Sequence, residues 1–168
     1  RLIEVWSNVP FIYVIMIVAS VITPNLSILI ILMVVFGWMG ITWYMRTAVY
    51  KEVSRDYVLA SRTLGASSFR IIFIHILPNT ISIVVTFIPF SVAAGITSLT
   101  ALDYLGFGLP PPTPSWGELL KQGTETFRES PWIVSSVVGC LLAILLMVTF
   151  IGESVREAFD PRQLTLYE

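Results

Sequence analysis

The chain is short of charge. Of its 168 residues, 12% are Asp, Glu, Lys or Arg, where a soluble domain carries about 25%. Apolar residues make up 55%, and the mean hydropathy is +0.82. There is one cysteine, Cys140, and one histidine, His75. One of each excludes a disulfide framework and a His/Cys zinc site built from this chain alone. The formal net charge of −1 leaves no basic field to attract nucleic acid. No G-x-x-x-x-G-K-[ST] phosphate loop and no G-x-S-x-G elbow occur, and a single histidine cannot serve several catalytic roles. These absences point away from an enzyme and from any metal or cofactor held by this chain.

The charge that exists is unevenly placed. Between Glu4 and Arg46 lie 41 residues without Asp, Glu, Lys or Arg. Two further gaps run over 71–102, 32 residues, and 130–152, 23 residues. A membrane span needs about 20 apolar residues. The first gap is long enough for two, with Thr23-Pro24-Asn25 as the turn between them. The expectation is an all-α membrane protein of four transmembrane helices, near 6–22, 27–45, 79–101 and 131–152. They form a single domain over 1–168, with a loop at 46–77 and an outer segment at 102–130. The chain opens at Arg1 in mid-pattern, as expected of a piece of a longer protein.

Four spans place both termini and the 46–77 loop on one side. That side holds 8 of the 10 basic residues; only Lys121 and Arg128 fall opposite. An excess of Lys and Arg marks the cytoplasmic side. Trp6, Trp38, Trp43, Tyr44, Trp116 and Trp132 fall near span ends or in the outer segment, where interfacial aromatics gather. No ionisable residue sits in mid-span, which counts against a proton relay or an ion-coupled carrier. Cys140 lies in mid-span and reads as a small packing residue.

The 46–77 loop is too long for a simple turn. Ser54 can cap a helix from Arg55, with Asp56 in its first turn. Tyr57, Ala60, Ser61 and Leu64 share one face of it. Gly65 is placed to end it in a left-handed conformation. Ser67 can cap a second short helix with Phe69, Ile72, Phe73 and Ile76 in one stripe. Pro78 suits the first turn of the next span. The two faces can pack on the inner ends of the spans or dock a soluble partner.

Along the third span, Ser82, Thr86, Pro89, Thr97 and Thr100 fall on one small, weakly polar stripe. It can line a path that offers hydroxyls without fixed charge, or serve helix packing. Pro89 removes a bond to the carbonyl of Val85 and should bend the helix. Beyond Gly106 and Gly108, the run Leu109-Pro110-Pro111-Pro112-Thr113-Pro114 is rigid and extended. Ser115 can then cap a helix from Trp116 to about Arg128, lying at the membrane surface.

The loop also resembles a known pattern. Tyr57-Val58-Leu59-Ala60-Ser61-Arg62-Thr63-Leu64-Gly65-Ala66, nine residues after the glycine, and His75-Ile76-Leu77-Pro78 resemble the EAA loop of bacterial ABC-importer permeases. Leu59 stands where that pattern has glutamate, Ser61 where it has its second alanine, and His75 where it has isoleucine. His75-Ile76-Leu77-Pro78-Asn79 resembles the dipeptide/oligopeptide branch, and Leu102-Asp103-Tyr104-Leu105-Gly106-Phe107-Gly108-Leu109 running into Pro110-Pro111-Pro112-Thr113-Pro114-Ser115-Trp116-Gly117, with Gly152-Glu153-Ser154-Val155-Arg156-Glu157-Ala158-Phe159-Asp160-Pro161-Arg162, is similar to its second (C-type) permease. The wording leans towards the microcin C/peptide subtype.

The resemblance implies a type I permease-like helical bundle in the bacterial cytoplasmic (inner) membrane, with both ends of this segment cytoplasmic and two N-terminal spans missing. It implies a second permease subunit, two ATP-binding subunits that hold the ATP, an extracytoplasmic substrate-binding protein and a peptide substrate. It makes 46–77 a coupling loop, in which Ala66, Leu77 and Pro78 join the residues of the two short helices. The rival readings are a non-transporting membrane scaffold or sensor, and an ion-coupled secondary carrier.

The charge asymmetry predicts topology. With Cys140 replaced by serine, Ser67→Cys should be labelled by an impermeant maleimide only from the cytoplasmic side, and Thr113→Cys only from outside. Labelling of both from one side overturns the four-span arrangement.

Overall fold

The computed structural model describes residues 1–159; Asp160, Pro161 and Arg162 of the closing motif lie outside the described residues. Among these, all regular structure is helical. The helices are α1 (Leu2–Ser7), α2 (Phe11–Val21), α3 (Leu26–Val53), α4 (Asp56–Thr63), α5 (Ser68–Arg70), α6 (Leu77–Tyr104), α7 (Trp116–Glu125) and α8 (Pro131–Ala158). A π-helical stretch, Ile71–Ile76, joins α5 to α6.

Three helical runs are long and apolar enough to cross a membrane, Leu26–Val53, Ser68–Tyr104 and Pro131–Ala158, with a shorter apolar helix at Phe11–Val21. The expected first span near 6–22 is therefore not one helix. Its cause is Pro10. The residue before a proline is driven from the α region, and Pro10 itself is extended, with ψ 120°. Asn8 closes α1 by donating to the carbonyl of Glu4 at 2.6 Å. The 11 residues of α2 rise about 16 Å, roughly half a hydrocarbon core.

The other spans run past the ends of their charge gaps. Asn25 caps α3, accepting from the Ile28 amide at 2.9 Å. The helix then continues past Arg46 to Val53, since no glycine or proline interrupts it there. Arg46 lies over the rings of Trp43 and Tyr50, at 5.7 and 5.5 Å, as a cation at a helix edge can. The second loop helix does not stop before the third span. Ser68–Tyr104 is one run of 37 residues. Pro78 has no N–H for the carbonyl four residues back, and the wider π winding before it carries the chain through without a break.

The chain divides into two compact units. One comprises Arg1–Met39 and Ser91–Thr149. Ile15, Leu29, Leu102 and Val137 are its buried apolar residues, and Trp6 and Phe11 flank the ring of Phe36 at 5.5 and 5.6 Å. Here α6 ends in a Schellman turn. Phe107 N–H donates to the carbonyl of Leu102 and Gly106 N–H to that of Asp103, with Gly106 at φ +82°. The Asp103 carboxylate, buried, accepts the Leu109 amide at 2.7 Å. Ser115 caps α7 by accepting from Glu118 N–H at 3.1 Å. That helix ends at Glu125, three residues short of the expected Arg128. Gly117 lets its first turn press on α6.

The second unit comprises Gly40–Phe90 and, among the described residues, 150–159. Tyr44 and Phe87 meet with ring centroids 4.6 Å apart. Gly152 lies against Pro89, where an added Cβ would come 3.0 Å from the proline ring.

A Cβ at Gly117 would meet backbone, the Thr100 carbonyl at 2.3 Å and the Tyr104 amide at 2.5 Å. Neither can yield as a flexible side chain would. Gly117→Ala should lower the stability of the solubilised protein by about 1–3 kcal/mol, read by thermal unfolding. Gly139→Ala, with open space around it and inside a helix that alanine favours over glycine, should be neutral or slightly stabilising. Equal stability of the two variants would sink this packing account.

Candidate functional site

The 46–77 loop folds as two arms about a glycine corner. Helix α4 begins at Asp56 with Arg55 as N-cap, not at Arg55 under Ser54. The Ser54 hydroxyl donates back to the carbonyl of Lys51 at 2.8 Å, so α3 takes it. The far end of α4 is as the sequence predicts. Gly65 has φ +82°. Ala66 N–H donates to the Ser61 carbonyl and Gly65 N–H to that of Arg62, a Schellman closure. Ser67 then accepts from Arg70 N–H at 3.4 Å and starts the second arm.

Burial separates the loop's apolar residues into two sets. Val58, Ile71 and Ile76 form a buried cluster, packed against Val49, Val53 and Ala66. Val58, only 1% exposed, lies off the face expected to be apolar. On that expected face Ser61 is half-buried, while Tyr57, Ala60 and Leu64 are exposed, Leu64 to 87%. Of the second stripe, Ile76 turns inward and Phe69, Ile72 and Phe73 stay exposed. The rings of Phe69 and Phe73 stack at 4.4 Å. Leu59, Leu77 and Pro78 are exposed too. The loop thus has its own small core and still presents an apolar outer face.

Polar side chains bind the loop at its base. Tyr57 Oη donates to Glu52 Oε1, and Asn79 Nδ2 donates to Tyr57 Oη at 3.2 Å. Partial burial, and then the bond with and charge of Glu52, raise the Tyr57 phenol above the usual tyrosine range. His75 stands edge-on to Tyr57, centroids 6.2 Å apart. Among the described residues no group of His, Cys, Asp and Glu is placed to hold a metal.

The hydroxyl stripe is divided. Ser82 and Thr86 line a cleft of about 450 Å³ with Tyr44, Ile83, Phe87, Phe90, Arg156 and Phe159. Pro89, Thr97 and Thr100 are not in its lining. The hydroxyls of Thr86, Thr97 and Thr100 donate to the carbonyls of Ser82, Ala93 and Ile96 at 2.8, 3.0 and 2.8 Å. Each keeps oxygen lone pairs for a partner. The aromatic wall escaped the sequence reading. Its signal was Ile83, Phe87 and Phe90 at i, i+4 and i+7, one residue round the helix from Ser82 and Thr86.

The chain matches the family described as binding-protein-dependent transport system inner membrane component over residues 1–165. It is 39% identical over 97% of its length to the peptidoglycan transport system permease protein YejE of Agrobacterium fabrum, of which it covers 42%. It is 42% identical, again over 97%, to the inner membrane ABC transporter permease protein YejE of Escherichia coli, covering 48%. Against the oligopeptide transport system permease protein OppC of Lactococcus lactis it is 39% identical over 78% of its length, covering 45% of that protein. The chain spans about half the length of these curated relatives.

The cleft makes an accessibility prediction. With Cys140 replaced, Thr86→Cys should react with a water-soluble thiol reagent in the solubilised full-length protein, while Thr80→Cys, at a position only 2% exposed, should not. Silence at Thr86 would mean that the cleft is filled.

Proposed function

The chain belongs to the family of binding-protein-dependent transport system inner membrane components, and from that premise we propose that it is part of the permease of an ATP-driven peptide importer of the oligopeptide or microcin C-like kind. The ATP is hydrolysed on two partner subunits. A second permease subunit completes the path, and an extracytoplasmic binding protein delivers the peptide. The 46–77 loop and the C-terminal end face the cytoplasm. Leu2–Ser7 and Phe11–Val21 together make a crossing bent at Pro10, so that four crossings remain.

One observation carries the coupling role. After the loop has buried Val58, Ile71 and Ile76, it still exposes Leu64, Phe69, Ile72 and Phe73. A loop whose only task was to connect two spans has no use for that face. Burying a leucine or phenylalanine side chain against a partner is worth about 1.5–3 kcal/mol. In this reading Ala60, Ser61, Gly65, Ala66, Leu77 and Pro78 shape the body that carries those anchors. Ser82 and Thr86 offer hydroxyls to peptide amides on the path, with Pro89, Thr97 and Thr100 further along the same helix.

The test is co-purification of the full-length protein with its ATP-binding subunits. Leu64→Glu and Ala60→Glu place a charge on the docking face and should lower subunit recovery about tenfold or more, as 1.4 kcal/mol or more requires. Gly65→Val, at φ +82°, costs about 1–2 kcal/mol in the left-handed region and should lower it comparably. Leu59→Ala should have the smaller effect. Wild-type recovery and transport in all three of the first variants would show that another element couples the two activities.

A further inference from the structure

We propose that Tyr57 is a positioning residue of the loop, whose hydroxyl ties α4 to the end of α3 and the start of α6, so that the loop turns with those two helices as one body. The proposal rests on the coupling role of the loop. Its geometry stands independently of that role.

The phenol is used from both sides. It donates to Glu52 Oε1 on α3 and accepts from Asn79 Nδ2 on α6 at 3.2 Å. Both partners are themselves held. Asn79 also donates to the carbonyl of His75 at 2.6 Å, and the Arg55 guanidinium lies 3.5 Å from the same Glu52 oxygen. Tyr57 and Asn79 are 22 residues apart in sequence, so the bond closes the whole loop at its base.

The tie does what the apolar cluster cannot. Packing of Val58, Ile71 and Ile76 holds α4 against α3, but hydrophobic contact is non-directional. It resists separation more than rotation of α4 about its own axis. Hydrogen bonds are directional, and two of them converging on one oxygen fix that rotation. The rotation decides where Ala60 and Leu64 point. Helical spacing alone groups Tyr57 with them on the docking face. Its hydroxyl is committed within the chain instead.

Tyr57→Phe separates the two roles, because it keeps the ring and removes only the oxygen. The full-length protein is assembled in liposomes with its partner permease, both ATP-binding subunits and the binding protein, loaded from a casein digest of short peptides. The reading is the ratio of ATP hydrolysis with loaded binding protein to that without. Tyr57→Phe, which removes both hydrogen bonds at that oxygen, should lower this ratio about threefold to tenfold or more, while the subunits co-purify in wild-type amount. Glu52→Gln, which keeps the acceptor oxygen, should preserve most of the ratio. Glu52→Leu should lose as much as Tyr57→Phe, and the double variant no more than either. A wild-type ratio in Tyr57→Phe, or additive losses in the double variant, overturns the tie.

A second measurement does not depend on coupling. Spin labels at Thr47→Cys on α3 and Thr63→Cys on α4, with Cys140 replaced, should give a narrow distance distribution that Tyr57→Phe broadens. An unchanged width overturns the proposal. If the wild-type assembly shows no stimulation at all, the coupling reading fails, and the width alone decides the tie.

Discussion

Every backbone N–H and C=O that enters hydrocarbon must find its partner within the protein, and the rest of this fold depends on that constraint. It accounts for helices of 28 residues where soluble ones average about 11–12. It also governs the hydroxyls. Thr86, Thr97, Thr100, Thr149 and Ser154 all donate to the carbonyl four residues back. Such bonds bend helices slightly, but they let a weakly polar side chain sit in a span without an orphaned donor. Among the described residues no buried side-chain nitrogen or oxygen lacks a partner. The prolines are the exceptions that the chain must absorb. Pro10 breaks a helix, Pro78 follows a π turn, and Pro89 is packed by Gly152.

Since the spans admit few irregularities, direction changes are left to the connections, and two of them use one device. Gly65 and Gly106 both sit at φ +82° at the end of a helix closed by a Schellman pair. Each is followed by a serine-capped helix, from Ser67 and from Ser115. The device is compact because glycine reverses the chain in one residue without steric cost, and the serine satisfies the first free N–H of the next helix. The result at Gly65 is a corner whose angle is set by backbone bonds rather than by side-chain packing. That is what a loop needs if it is to transmit a displacement.

The sequence made the spans legible through their missing charges, and the corners through glycine and serine, because these are local signals. It did not show which way the loop helices turn. Helix α4 and its C-cap carry apolar residues on two sides, Val58 on one and Leu64 on the other. Only the end of α3, which continues to Val49 and Val53, decides that Val58 goes inward. The sequence marks α3 as ending near Met45, because charge begins there, and so removes the surface that makes the choice. Ser54 misleads for the same reason. With α3 running to Val53, its hydroxyl serves the last turn of that helix. The break at Pro10 was legible from the proline rule, yet a long charge-free run outweighed it. The Glu52–Tyr57–Asn79 bonds join residues with no pattern in common. They become visible only when three helix ends are brought together.

The two-sided character of α4 has a physical reason if the loop couples. A surface that grips a partner must expose apolar side chains, and exposed apolar side chains do not hold a short helix in place. An eight-residue helix is far below the length at which helices are stable alone. Its rigidity must come from the opposite side, from the Val58 cluster and the polar bonds at its base. Stiffness and adhesion are thus assigned to different faces of one helix, and neither can be enlarged without taking residues from the other. A span-to-span linker would resolve that competition by burying both faces or making one polar. This loop keeps both apolar, and in the proposed coupling role a partner would cover the outer one.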